Sequence, residues 1–192
     1  MAEELRPGAT ARVFFALWPD EGLRKALVKV GGSLHALHGG RRMRPDSIHL
    51  TLVFVGQVDV RHIPDLLAMA GQQRVEGFTT LFDKAECWRH NHIGCLGAGE
   101  TPENLLALVQ ALEGGLKALD IPFDRRPYKP HITLLRNADC RREEAGPERE
   151  GKAKNTPAPE AVAWPARDFV LVKSSLRPEG ALYEELGRWP LL

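Results

Sequence analysis

At 192 residues, 43% apolar and 27% charged, the chain is long enough to bury a core and fits one domain or two closely packed lobes. A net charge of +1 excludes a protein that is basic throughout and grips nucleic acid by bulk electrostatics. There is no signal-peptide core and no apolar run of bilayer length, so a cytoplasmic protein without a membrane partner is expected. Three cysteines (Cys87, Cys95, Cys140), odd in number and without a CxxC, argue against a disulfide framework.

In chain order, Arg12 to Leu17 reads as a strand. Trp18-Pro19-Asp20 then leads into an amphipathic helix with the stripe Leu23, Leu27, Val30, Leu34 and Leu37, ended by Gly39-Gly40. Ile48 to Val55 is β-branched, aliphatic and aromatic without a breaker before Gly56, and reads as a strand. A helix near Ile63 to Gln73 and strands at Phe78 to Trp88 and Ile93 to Ala98 follow. Thr101-Pro102-Glu103 offers a cap and a proline suited to a first helical turn, and Leu105, Leu108, Val109, Leu112, Leu116 and Leu119 continue as a helical stripe. From Asn137 to Glu160 large apolar residues almost vanish, which predicts a flexible surface loop over 138–160. Asp168 to Ser174 is a strong strand, before a short tail bearing Tyr183 and Trp189.

One tetrapeptide occurs twice, as His49-Leu50-Thr51-Leu52 and His131-Ile132-Thr133-Leu134, each with Arg-Pro at the same upstream offset (Arg44-Pro45, Arg126-Pro127). A shuffled chain of this composition would give His-x-Thr about 0.3 times, so two copies with matching flanks point to duplication. The helix-opening prolines Pro19 and Pro102 precede their histidines by 30 and 29 residues, as two copies of strand, helix and motif strand would require. Period-two alternation puts His49 and Thr51 on one face and Leu50, Leu52 and Phe54 on the other. His131 and Thr133 likewise oppose Ile132 and Leu134.

Two facing histidines titrate near neutrality, so one neutral ring can act as general base and one protonated ring as general acid. That pair suits in-line displacement at phosphorus, with the Thr51 and Thr133 hydroxyls donating to the non-bridging oxygens, and it needs neither metal nor cofactor. Arg41, Arg42, Arg44, Arg125, Arg126, Lys129 and Arg136 flank the motifs and suggest a local anion patch. No phosphate loop, nucleophile elbow or Rossmann fingerprint is present, which leaves nucleotide-driven, serine-hydrolase and dehydrogenase chemistry unsupported.

With these motifs, and with Arg12-Val-Phe-Phe-Ala-Leu-Trp-Pro at one end and Phe169-Val-Leu-Val-Lys-Ser at the other, the sequence resembles the 2H phosphoesterase superfamily. It is most similar to the RNA 2′,3′-cyclic phosphodiesterase (bacterial 2′-5′ RNA ligase-like) branch. The resemblance implies a single α+β domain over residues 1–192, built of two intertwined lobes with pseudo-two-fold symmetry, two antiparallel sheets around a central cleft and helices outside. It implies a monomeric enzyme that opens 2′,3′-cyclic phosphates at RNA ends, tRNA fragments among the candidate substrates, to leave 2′-phosphates. His49 would then be the proton donor and His131 the proton acceptor, with Thr51 and Thr133 holding the phosphate. Arg136 matches a family arginine near the phosphate, yet strict alternation sets it opposite His131, so that role requires a bulge or the strand's end. Phe14 and Tyr128 are candidates for stacking on a base or ribose.

Cys87, His90, His92 and Cys95 form a zinc-like spacing, but the family context makes Arg89-His90-Asn91 a hairpin turn that splays them, and no metal is expected. Competing readings are a non-catalytic RNA-end binding module and a phosphodiesterase for another small 2′-5′ or cyclic nucleotide. Reversible 2′-5′ ligation would be the same displacement with an RNA hydroxyl in place of water.

Overall fold

The computed structural model describes residues 8–141, 160–177 and 180–192. In chain order its elements are β1 (Thr10–Leu17), α1 (Glu21–His38), β2 (Arg41–Arg42), a 3₁₀ turn (Pro45–Ser47), β3 (Leu50–Asp59), a second 3₁₀ turn (Val60–His62) and α2 (Ile63–Gly71). They continue with β4 (Phe78–Trp88), β5 (Ile93–Ala98), α3 (Glu103–Ala118), β6 (His131–Arg136), β7 (Val162–Ala166), β8 (Asp168–Arg177) and β9 (Gly180–Pro190). The described strands form one antiparallel sheet in the order β7-β4-β5-β6-β3-β1-β8-β9, with β2 paired to β6. The sheet has two halves, β7-β4-β5-β6 and β3-β1-β8-β9, and the two motif strands are the inner strand of each. They meet in one paired position, Leu50 opposite Ile132.

The helices cross over between the halves. Helix α1, which follows β1, packs on β6, β7 and β2, whereas α3 packs on β3. Asp20 caps α1 by accepting from the Leu23 amide at 2.8 Å, and Leu27, Val30 and Leu34 enter the core as the stripe requires. Leu37 is 45% exposed; the inward position in the last turn goes instead to His38, which is 4% exposed. In α3 the stripe Leu105 to Leu116 is buried, while Pro102, not Thr101, occupies the cap position, without a side-chain cap.

Three strands were not apparent in the sequence, the two-residue β2 among them. Strand β7 forms because Val162, Trp164 and Ala166 alternate inward against β4, and β9 forms a long hairpin with β8 where the sequence suggested only a tail. The expected loop over 138–160 is corrected at its start, since Ala138 and Cys140 are buried at 1% and 3% exposure; residues 142–159 lie outside the described residues. Cys140 is also bonded to Cys87, contrary to the expectation from the cysteine count. The odd cysteine is Cys95, buried on β5 opposite Thr133, and the other two, 53 residues apart, pair where the segment after β6 returns beside the end of β4.

Gly40 sits at the turn that lays β2 along β6, with φ +78; a Cβ there would lie 2.7 Å from the Arg136 carbonyl oxygen and 2.9 Å from the Ala138 Cα. Gly114 is on α3 with nothing within 4 Å of a built Cβ. Gly40→Ala is expected to destabilise by about 1–3 kcal/mol and Gly114→Ala to stabilise by about 0.5–1 kcal/mol. Urea denaturation of the two variants checks both signs.

Candidate active site

A cavity of about 400 Å³ opens where the two halves join, and His49, Thr51, His131 and Thr133 all line it. The apolar members of the motifs, Leu50, Leu52, Ile132 and Leu134, are 0–3% exposed on the core side. Alternation therefore holds through each tetrapeptide. Both histidines are oriented in the same way. Nδ1 of His49 lies 2.9 Å from the Ser47 carbonyl oxygen, and Nδ1 of His131 lies 2.8 Å from that of Lys129, two residues upstream in each case. A carbonyl can only accept, so each Nδ1 carries the proton and each Nε2 is left for chemistry.

Past the tetrapeptides the alternation breaks, and the break brings further residues into the cleft. Between β5 and β6 the pairing passes from Cys95–Thr133 to Gly94–Leu135, leaving Leu134 as an extra residue. Leu134 and Leu135 both face the core, and Arg136 returns to the cavity beside His131 and Thr133. Between β1 and β3, Leu52 and Val55 are extra in the same sense, so Leu52 and Val53 are both buried. Phe54 consequently lines the cleft, contrary to its expected place opposite His49.

The rings have different surroundings. His49 is enclosed by aromatics: Trp18 stacks on it with centroids 5.2 Å apart, Phe14 lies at 4.9 Å and Tyr183 meets it edge-on at 5.4 Å. His131 packs against Trp88 at 4.5 Å, and the Trp88 indole donates to Glu86 at 2.6 Å, the carboxylate that also holds Lys129 at 2.6 Å. Burial is the main cause that lowers both histidines. The Ser47 hydrogen bond opposes it at His49, and Arg136 and His131 add to it, leaving that ring at about 4. His131 is also lowered below its ordinary value, with the Lys129 carbonyl and the Glu86 carboxylate pulling upward. Both rings are therefore neutral at pH 7 in the free cleft.

The anion patch is narrower than the sequence suggested. Arg44 is tied to Asp46 at 3.2 Å, Arg126 to Asp124 at 2.9 Å and Lys129 to Glu86. Arg136 and Arg12 line the cavity with no carboxylate partner among the described residues. Phe14 and Tyr128 also border the cavity, but Phe14 is 4% exposed and supports His49 from beneath. The Tyr128 hydroxyl is buried without a partner among the described residues, and burial pushes its pKa up. Trp18, Tyr183, Trp88, Arg12 and Ser174 were not singled out from the sequence. Of these, Arg12, two residues before Phe14 on the first strand, and Trp18, just after that strand, had a local signal.

The zinc-like residues do not converge. Cys87 is disulfide-bonded, Cys95 is buried with its thiol pushed up to about 12 by desolvation, His90 stacks on Trp88, and His92 sits 3.3 Å from the Ala138 carbonyl. Among the described residues no three His, Cys, Asp or Glu side chains are grouped to hold a metal. No described helix is long and apolar enough to cross a membrane.

The sequence model of the LigT like Phosphoesterase family matches residues 17–94 and 96–183, both motifs included. The chain belongs to that family. It is 30% identical over 182 residues to the RNA 2′,3′-cyclic phosphodiesterase of Escherichia coli, covering 94% of this chain and 96% of that one. It is 28% identical over 203 residues to the Thermus thermophilus protein of the same name, covering 94% and 90%. The crystal structure of E. coli LigT complexed with 3′-AMP superposes with a TM-score of 0.79 at 29% identity, over 95% of this chain and 99% of that one. In this LigT-like phosphoesterase, then, the α+β fold and the family agree with the resemblance in the sequence.

The histidine environments can be read directly. With its pKa lowered, His49 favours the neutral, folded state above about pH 6.5, and that contribution is lost as pH falls through the window from 6.5 to about 4. NMR titration of the free protein is expected to show His49 protonating near pH 4 and His131 below 6.5, with inorganic phosphate raising both. A His49 that titrates at or above 6.5 without ligand would contradict the enclosed-ring description.

Proposed function

We propose that this LigT-like phosphoesterase opens 2′,3′-cyclic phosphates at RNA ends to 2′-phosphomonoesters by metal-independent acid–base catalysis. The observation that carries the reading is the pair of histidines, each with Nδ1 committed to a carbonyl and Nε2 left for chemistry, in one cavity with Thr51, Thr133 and Arg136. The names of the E. coli and T. thermophilus relatives, and the 3′-AMP complex of E. coli LigT, support a nucleotide phosphodiester as substrate.

In this mechanism a water oxygen attacks phosphorus while Nε2 of His131 takes its proton. Charge builds on the non-bridging oxygens, which Arg136 and the two threonine hydroxyls stabilise. Nε2–H of His49 protonates O3′ as the P–O3′ bond breaks, leaving the phosphate on O2′. One ring must be protonated at the outset although both are neutral in the free cleft. The anionic substrate supplies the bias, because its charge offsets that of Arg136 and favours an imidazolium.

Two symmetric histidines do not by themselves reveal which is the acid, but their surroundings differ. The acid adjoins the leaving oxygen and hence the nucleoside; Phe54, Trp18 and Tyr183, packed on the buried Phe14, make an apolar bed on the His49 side. The His131 side carries Lys129, Glu86 and Trp88, a wetter setting suited to an incoming water or RNA hydroxyl. The reverse reaction with an RNA hydroxyl would be 2′-5′ ligation.

His49→Ala and His131→Ala are each expected to lower kcat on an RNA 2′,3′-cyclic phosphate by about 10²–10⁴-fold with folding retained by circular dichroism. A 3′-thio cyclic phosphate, whose leaving group needs no proton, should restore His49→Ala and not His131→Ala. Rescue of the other variant would reverse the assignment, and near wild-type rates in either variant would remove the mechanism. Because both rings are lowered, kcat/KM should be bell-shaped with its maximum below about pH 7; a flat profile from about pH 5 to 9 would count against paired histidines.

A further inference from the structure

We infer that Arg12 receives the phosphate on the 5′ side of the terminal nucleotide, so that the cleft selects polynucleotide ends over free cyclic mononucleotides. This rests on the proposed reading of the cavity as a nucleotide phosphodiester site.

Position is the first argument. Arg12 and Phe14 alternate on the cleft face of β1, about 6.6 Å apart along an extended strand, and the Phe14 ring is 4.9 Å from His49. Arg12 therefore stands one step beyond the aromatic bed from the reacting phosphate, a distance like that between successive phosphates of an RNA strand. Arg136 already serves the reacting phosphate from β6, so a second guanidinium at the far side of the nucleoside bed has a different anion to meet.

The second argument is how Arg12 is held. Its guanidinium lies over the Phe54 ring at 4.9 Å, and Nη1 reaches Ser174 Oγ at 3.5 Å, a hydroxyl on a residue only 6% exposed. Ser174 faces Arg12 in the β1–β8 register, and Tyr183 faces Ser174 in the β8–β9 register, so the three form a polar row across one face of three strands. The Phe54 ring and the Ser174 hydroxyl hold the guanidinium in place, with the remaining N–H groups available for a bidentate contact with phosphate oxygens.

The third is charge. Arg44, Arg126 and Lys129 are each satisfied by a carboxylate, whereas Arg12, partly buried in the cleft, has none among the described residues. A partly desolvated cation without an acid partner is unfavourable unless an anion joins it. The base bed between Arg12 and His49 fits a nucleoside bearing phosphate at both ends.

Isothermal titration with adenosine 2′-monophosphate and adenosine 2′,5′-bisphosphate tests this on wild type, Arg12→Gln and Arg12→Lys. In wild type the bisphosphate should bind at least about tenfold more tightly. Arg12→Gln should bring the two ligands within about threefold, and Arg12→Lys should recover part of the preference. Equal wild-type affinities, no binding of the bisphosphate, or an unchanged ratio in Arg12→Gln would each overturn the inference. The wild-type ratio decides alone if the variants do not fold. Binding requires no turnover, so a protein that prefers the bisphosphate yet leaves RNA cyclic phosphates intact would sink the catalytic reading while sustaining the role of Arg12.

Discussion

Leu50 and Ile132 each follow a motif histidine directly, and their pairing is where the two halves of the sheet join. Both are fully buried. Because side chains alternate with period two, fixing these two residues toward the core fixes His49, Thr51, His131 and Thr133 toward the cleft, and a one-residue slip of either strand would send the chemistry inward. The aliphatic residues of the motifs are thus what specify the register, and the polar ones inherit their position from it. The crossed helices reinforce this, since α1 braces the half that carries His131 and α3 braces the strand that follows His49.

Within this duplicated frame the chemistry depends on what is not duplicated. Both rings use the same hydrogen bond to a carbonyl two residues back, so their tautomers match. Their neighbours do not: one ring lies among Phe14, Trp18 and Tyr183, the other beside a Trp88–Glu86–Lys129 chain. Desolvation keeps both neutral until an anion arrives, which couples readiness for proton transfer to the presence of substrate. Most basic side chains around the cleft are held by carboxylates, leaving Arg12 and Arg136 as the cavity's unpaired guanidiniums among the described residues.

The parts of the molecule written in local periodicity were legible before the structure. Helices α1 and α3, strands β1, β4 and β5, and the orientation of both tetrapeptides follow from apolar spacing and simple alternation. What escaped required knowledge of partners. Strand β7 is stabilised by β4 and β9 by β8, each in pairings that local sequence does not announce, and with β9 went Tyr183. Bulges at Leu52, Val55 and Leu134 depend on the facing strand, so Phe54 was assigned to the wrong face, whereas for Arg136 the need for a bulge could be stated in advance. The Cys87–Cys140 bond joins residues 53 apart and was hidden behind an odd count whose third member, Cys95, is a free thiol buried on β5. The broad basic patch in sequence contracts in space because Arg41, Arg42 and Arg125 do not line the cavity, and because Arg44 and Arg126 pair with carboxylates two residues away and Lys129 with the distant Glu86.

The central claim is that the two histidines drive an in-line displacement with the nucleoside, and therefore O3′, on the His49 side. The most direct measurement is the position of the phosphate after the purified protein acts, in EDTA, on a short RNA ending in a 2′,3′-cyclic phosphate. The account predicts a 2′-phosphate product formed at an undiminished rate without free metal ions. A 3′-phosphate product, or no opening until a metal is supplied, would contradict it.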